Sequence, residues 1–464
     1  MEDEQVIETA LGSARDTRCL RIGAGATRET AEVFASLFGS ASAAVVADVN
    51  TFEAAGREVY DILLRAGQPC AQPFVFGPEV SAEWQFVERL REALSRFDAV
   101  PIAVGSGTIN DLTKLVAHRL NQPYMAVATA ASMDGYTAFG ASITYQGSKQ
   151  TFHCPAPRAV IADLDVIARA PEGMNAAGYA DLLAKCAAGA DWILADAAGV
   201  EAIQAPIWEM VQARLRSWLA SPAALAQRDL DALRGLISGL LVTGFAMQAA
   251  RSSRPASGAD HQFSHLWDMQ HHTFNGSSPS HGFKVGIGTL ASLALYEQLL
   301  GDGAGSGKRW DIDIQRAVDN WPSPETLEAC IDSLFDGQLA AKAKEETRAK
   351  YIGRDELRAQ LVRLHENWPQ LRRRLARQLL SFAAARDMLR AAGCPSQPEQ
   401  VGVSRPRLRL SYRQAYFIRR RFTVLDFAER CALLEAALED LFSPEGIWAE
   451  APQAETCARQ GAAR

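Results

Sequence analysis

Residues 99–131, AVPIAVGSGTINDLTKLVAHRLNQPYMAVATAA, decide the fold. An apolar run ends in the turn Gly105-Ser106-Gly107, helical spacing of apolar residues follows from Thr108, and a second apolar run begins at Pro123. Strand, glycine turn, helix and strand in immediate succession form a parallel unit with a right-handed crossover. The same alternation precedes it, with ASAAVVADVN (41–50) and PFVFG (73–77) as strands and TFEAAGREVYDILLRAG (51–67) and WQFVERLREALSRF (84–97) as helices. Downstream, residues 137–168 read as a hairpin followed by one last strand. The fold class expected is an α/β N-terminal domain, residues 1–168, built on a parallel sheet.

Beyond residue 169 the texture changes to alanine- and leucine-rich helical segments such as AAGYADLLAKCAAGADWILAD (176–196) and LDALRGLISGLLVTGFAMQAA (230–250). Apolar residues at helical spacing predict a second, all-helical domain over 169–450. GDGAGSGKRW (301–310) reads as a surface loop, and 451–464 has too little apolar content to stay ordered. The apolar helix at 233–250 is interrupted by glycines and reads as a core helix rather than a membrane span.

With 48% hydrophobic residues, 22% charged residues and a net charge of −6, the composition is that of a soluble globular protein and excludes a strongly basic nucleic-acid binder. The arginine runs in 370–380 and 405–422 read as solvated or subunit-facing surfaces. Eight scattered cysteines without a CxxC pair fit a reducing cytoplasm. The acidic start MEDEQVIETALGSARD lacks the pattern of a signal peptide.

Five of the eight histidines fall between His261 and His281. His261 and His265 are spaced i and i+4, so a helical SGADHQFSHLWDM puts both imidazoles on one face; His281 follows the turn-rich NGSSPSHG. Asp181 stands in a helical setting upstream. Imidazole and carboxylate suit zinc, nickel or iron, and three protein ligands leave positions open for substrate. His271 and His272 read as loop residues.

In the first domain, the Gly105–Gly107 turn opens a helix and can cradle a pyrophosphate, because glycine lets the backbone approach and the helix start presents unpaired N–H groups. Position 110 is asparagine, so the G-x-G-x-x-G fingerprint is incomplete. Asp48, ending its strand, is a candidate for a ribose hydroxyl or a turn aspartate. Thr129, Ser132 and Asp134 cluster just past a strand end, the edge at which open α/β sheets bind ligands; Asp134-Gly135 also suits a tight turn.

Four segments occur in order: GSGTINDLTK (105–114), TAASMDGYT (129–137), GYADLLAKCAAGADW (178–192), and SGADHQFSH (257–265) with HGFKVGIGT (281–289). Together they resemble the sn-glycerol-1-phosphate dehydrogenases of the iron-containing alcohol dehydrogenase and dehydroquinate-synthase-like fold, most closely the bacterial branch found near arabinose-utilisation genes. YFIRRRFTVLDFA (416–428) is similar to a late helical signature of that branch. The resemblance implies that Gly105, Ser106, Gly107, Thr108 and Ile109 hold the pyrophosphate of NAD or NADP, with Thr129, Ala130, Ala131 and Ser132 contacting the cofactor. It implies that Asp134 binds substrate, that Asp181, His261 and His281 hold one divalent ion, zinc or nickel before iron, and that Asp181 also touches substrate. His265 would contact the substrate and carry a proton; spacing alone would have given it to the metal.

There are two departures. Ala138 stands where the family places a serine against the cofactor, a loss of about 1 kcal/mol. Phe283 follows His281-Gly282 where archaeal relatives carry glutamate, which removes an acidic outer partner of the metal. The implied reaction interconverts dihydroxyacetone phosphate and sn-glycerol 1-phosphate by hydride transfer at C2, in a homo-oligomer, most simply a dimer, of the cytoplasm. The rivals are another polyol or polyol-phosphate dehydrogenase, a cyclase of the dehydroquinate-synthase type, and a non-enzymatic binding protein. Lys284 and Arg419–Arg421 are candidates for the substrate phosphate.

Overall fold

The computed structural model describes residues 2–146, 148–301 and 312–449. Its centre is the strand that the opening stretch predicts, Ala99–Gly105, buried along its whole length. Eight strands occur among the described residues: β1 Cys19–Gly23, β2 Ser42–Asp48, β3 Phe74–Phe76, β4 Ala99–Gly105, β5 Met125–Ala128, β6 Ala141–Tyr145, β7 Ser148–Phe152 and β8 Ala159–Asp163. Six form a parallel sheet in the order β1-β8-β5-β4-β2-β3, and β6 and β7 pair as a separate antiparallel hairpin. The chain reverses its direction of travel between β2 and β4, which are neighbours with Val46 opposite Ala103. Two residues further on, Asp48 and Gly105 flank the crevice at this switch point, where such sheets bind their ligands.

Alternation along each strand feeds two cores. Val45, Ile102, Val127 and Ile161 pack with Val59 and Leu63 on one face. Val46, Ala103, Ala126 and Val160 pack with Leu112 and Val116 on the other, and this core runs on through Leu182, Leu240 and Ile287 of the helical part. Each fully buried valine, leucine or isoleucine contributes about 1.5–3 kcal/mol. One continuous core therefore holds the helical layer against the sheet.

From Leu164 onward the described residues are helical apart from their connections, as the change of texture predicts. Leu230–Ala250 is long and apolar enough to cross a membrane, but Leu236 to Gln248 are buried within the protein. The reading differs from the fold in three places. β1 is a sixth strand of the sheet, added beside β8 by the short segment CLRIG, whose arginine breaks the apolar pattern. The strand in PYMAVATAA stops at Ala128, so 129–131 lie in the connection beyond it. Residues 423–442, within the stretch expected to be helical, are broken into two helices, Val424–Arg430 and Leu434–Leu441, separated where Ala432 takes a left-handed φ of 55°. The loop expected at 301–310 and the tail at 451–464 lie outside the described residues, save Gly301.

Candidate active site

Three helices carry the candidate metal ligands. Glu172–Leu183 bears Asp181, Ala259–Met269 bears His261 and His265, and His281–Leu300 begins at His281, capped by Ser280 Oγ, which accepts from the Phe283 amide at 3.3 Å. Glycines of helix His281–Leu300 face the backbone of the other two: a Cβ on Gly282 would lie 1.9 Å from the Ala177 carbonyl oxygen, and one on Gly288 would lie 2.2 Å from that of Asp260. Gly178 likewise lets helix Glu172–Leu183 close on the connection after β5, where a Cβ would lie 1.8 Å from the Ala131 carbonyl oxygen. The start of Ala259–Met269 is set from elsewhere in the chain, since Asp191 Oδ2 accepts from the Ala259 amide at 2.7 Å. An orphan helix donor is thereby satisfied by tertiary contact.

Ligand atoms of Asp181, His261 and His281 all lie within 4.8 Å of one another. His261 Nε2 is 3.6 Å from Asp181 Oδ1, close to the roughly 3.4 Å between two ligands on a tetrahedral ion with bonds of about 2.1 Å. Asp260 accepts a short hydrogen bond from His261 Nδ1, which leaves the Nε2 lone pair free toward Asp181. That is the outer-shell arrangement which orients a metal-binding imidazole. The donor set and its spacing thus fit one divalent ion. His265 lies beside the triad, its ring 6.0 Å from those of His261 and His281. Its Nδ1 accepts from Arg419 at 2.5 Å.

Lys185, one turn after Asp181 and fully buried, places Nζ 2.7 Å from both Asp181 Oδ1 and Asp134 Oδ2. The Asp134 amide donates to Asp181 Oδ2 at 3.1 Å, so the aspartates expected at substrate and metal are locked together. Burial alone would raise the Asp181 pKa, but Lys185 and then the two histidines bring it down to about 2. Asp134 is held above its ordinary value by burial and by Asp181. Burial, reinforced by Lys149, pushes His281 down to about 3. Burial and the Arg419 guanidinium keep His265 neutral, well below the usual imidazole range. With Nδ1 accepting, the neutral ring presents an Nε2–H.

On the sheet side, Gly105 ends β4 and a Cβ there would meet Ile109 at 2.6 Å, so its glycine serves the tightness of the turn. Helix Gly107–Arg119 starts with Ser106 as N-cap, yet the serine side chain makes no capping bond. The first amides, Gly107, Thr108 and Ile109, therefore remain available to an anion, as a pyrophosphate requires. Asp48 Oδ1 accepts from the Asn50 and Thr51 amides at 2.8 and 3.0 Å, a helix cap at the rim of the same crevice. Ala130 and Ala131 have no exposed surface; Ala130 O accepts from Tyr136 Oη and the Ala131 amide donates to Asn175. Within that segment Thr129 is slightly exposed and Ser132 more so. Ala138 is buried, and Phe283 packs against the core.

His271 and His272 stand apart from the triad; His272 is hydrogen-bonded to Val401 O and Arg407. Of the phosphate candidates, Lys284 is ion-paired with Asp268. Three site residues escaped the sequence reading. Lys185 was legible as the i+4 partner of Asp181, and Asp260 as the neighbour of His261, whereas nothing in the hairpin marks Lys149 as reaching Asp268 across the cleft.

The iron-containing alcohol dehydrogenase family matches residues 21–171. A glycerol-1-phosphate dehydrogenase (NAD(P)+) of Geobacillus stearothermophilus is 30% identical over 397 residues, 84% of this chain and 87% of that protein. The protein of the same name from Halalkalibacterium halodurans is 34% identical over 256 residues, 54% of this chain and 64% of that protein. Among solved structures, glycerol dehydrogenase from Schizosaccharomyces pombe superposes with a TM-score of 0.57 at 16% identity, covering 91% of this chain and 90% of that one. That likeness establishes the shared fold, while the sequence relatives carry the closer kinship. The chain belongs to the glycerol-1-phosphate dehydrogenase family of the iron-containing alcohol dehydrogenases.

Proposed function

We propose that this enzyme interconverts dihydroxyacetone phosphate and sn-glycerol 1-phosphate, using NAD or NADP and one divalent ion. The observation that carries the reading is the Asp181, His261 and His281 triad, joined through Lys185 to Asp134 on the segment that leaves β5. Relatives named glycerol-1-phosphate dehydrogenase supply the substrate. We take residues 1–168 and 169–450 as the two working domains, with the site in the cleft between them.

An ion held by Asp181, His261 and His281 supplies Lewis acidity toward a carbonyl, and a dinucleotide at Gly105–Ile109 supplies hydride. The chain supplies position and polarity. Thr129 and Ser132 border the cofactor, and Asp134, held as an acceptor by Lys185, receives a substrate hydroxyl. His265 offers its Nε2–H to the substrate oxygen. With Nδ1 occupied by Arg419 and the ring neutral, this histidine acts as a hydrogen-bond donor, and the proton that the substrate oxygen takes up comes from water. Asp48 at the crevice favours NAD by repelling a 2′-phosphate. The enzyme works as a homodimer in this reading, and a cytoplasmic location suits the seven free cysteines among the described residues.

The test is stoichiometry. Metal-depleted protein resupplied with zinc or nickel should oxidise one NADH per dihydroxyacetone phosphate, yield the 1-phosphate enantiomer, and use NADPH less efficiently. A cyclase would show no net oxidation of cofactor, and a free-polyol dehydrogenase would prefer the unphosphorylated ketone; either outcome refutes the reading.

A further inference from the structure

A cavity of about 980 Å³ opens beside His265. Five cationic side chains line it against three carboxylates, so its field favours an anion. Most of those cations are already committed. Arg420 forks onto Glu346 at 2.8 and 3.0 Å, and Lys342 reaches Glu346 at 2.8 Å. Arg421 donates to the Ser257 carbonyl at 2.7 Å and to Ser253 Oγ at 2.9 Å.

Arg419 and Lys149 differ from the rest. Arg419 donates to His265 Nδ1, and among the described residues no carboxylate pairs with it. Burial opposes its charge, yet a guanidinium does not give up its proton, and the support it draws from Glu346 is shared with Arg420 and Lys342, which pair with that carboxylate directly. Lys149, about a third exposed, stands 3.4 Å from Asp268 Oδ2, while Lys284 already satisfies Asp268 through its other oxygen. The two come from different parts of the chain, Lys149 from the β6–β7 hairpin and Arg419 from the turn after helix Arg405–Phe417. In a three-carbon phosphate ester only one carbon and the ester oxygen separate C2 from phosphorus. A carbonyl held at the triad therefore carries its phosphate to the vicinity of His265, where these two cations are.

Resting on the dehydrogenase reading above, we propose that Arg419 and Lys149 are the phosphate-binding pair, and that together they set a preference for phosphorylated over free three-carbon substrates. A charged hydrogen-bonding pair adds about 10- to 100-fold to affinity. The hairpin from the sheet domain and the arginine turn of the helical domain meet on one anion, so the preference requires both domains in register.

The experiment uses metal- and NADH-loaded enzyme with inorganic phosphate as probe, measured by titration calorimetry in wild type, Arg419→Met, Lys149→Gln and Lys342→Gln. Phosphate affinity should fall about tenfold or more in the first two variants and stay at the wild-type value in Lys342→Gln. In Lys149→Gln the ratio of kcat/KM for dihydroxyacetone phosphate to that for dihydroxyacetone should fall about tenfold. Arg419 also touches His265, so its readout is equilibrium affinity, and if Arg419→Met does not fold Lys149→Gln decides alone. Unchanged affinity and discrimination would overturn the pair while leaving the dehydrogenase reading intact, as would an equal loss in Lys342→Gln. Wild type that turns over no three-carbon phosphate, yet loses phosphate binding in both variants, would overturn the substrate reading and uphold the anion site.

Discussion

Gly178→Ala adds one methyl group to the helix that carries Asp181, and the structure gives its consequence. The new Cβ would lie 1.8 Å from the Ala131 carbonyl oxygen and 2.7 Å from its carbon, against an ordinary contact of 3.4 Å or more. The partner is backbone and cannot swing away, so the helix must retreat by about 1.6 Å, the difference between 1.8 and 3.4 Å. Metal sites tolerate about 0.2 Å in ligand position, and Asp181 lies one turn further along the same helix. Forced overpacking of this kind costs about 1–3 kcal/mol. Zinc affinity, measured by competition with a chromophoric chelator, should fall at least tenfold, the lower end of what disturbing a metal site's supports does, and the metal-free protein should melt earlier. Gly173→Ala is the control: it lies on the same helix, but its Cβ would meet Phe283 at an ordinary 3.6 Å. There the change should be neutral or stabilising, by up to about 1 kcal/mol. If Gly178→Ala binds zinc and melts as Gly173→Ala does, the close approach of this helix to the connection after β5 is not what sets Asp181.

Lys185→Met leaves Asp134 and Asp181 buried without their shared cation, a loss of about 3–5 kcal/mol; differential scanning calorimetry should find a smaller loss with zinc bound, because the ion then compensates Asp181, and equal losses refute the coupling. Asp260→Asn weakens the acceptor for His261 Nδ1 and should lower zinc affinity about 10- to 100-fold, read by the same chelator competition. In metal-free protein His265 and His281 stay neutral when folded but take up protons when unfolded. The unfolded chain then binds more protons at these two sites, so their contribution to stability falls as pH drops below about 6.5, with the His281 share complete near its folded value of about 3. Asp191 and Glu429, each raised to about 7 by burial, contribute with the opposite sign. The difference in melting temperature between wild type and His281→Gln isolates the histidine share, and wild type should lose ground to the variant from pH 7 to 5; a difference that does not change with pH refutes it.

The sheet was legible because β4, β5 and their helix carry strong, unbroken local signals; the density of histidines between His261 and His281 pointed to a metal site, while the division of roles among Asp181, His261, His265 and His281 came from the family resemblance. What stayed hidden lacked a local signature. β1 is a five-residue edge strand with an arginine at its centre, stabilised by pairing with β8, 140 positions on, as Cys19 opposite Ala159 illustrates. Ala130 and Ala131, expected at the cofactor through resemblance, are sealed by Tyr136 and Asn175, neighbours that spacing does not reveal. The i+4 rule put His261 and His265 on one face correctly, but could not say that Asp260 would orient one ring and Arg419 occupy the other.

The sequence by itself determined the parallel sheet, the helical second half, the G-x-G turn and the ligand types, because these follow from hydrophobic period, glycine geometry and side-chain chemistry over short spans. Tertiary structure alone decided which residues meet. Asp181, His261 and His281 come together because glycines let three helices approach backbone to backbone, and Lys149 and Arg419 reach one cavity from 270 positions apart. Such encounters depend on packing between separate segments, where no periodicity reaches.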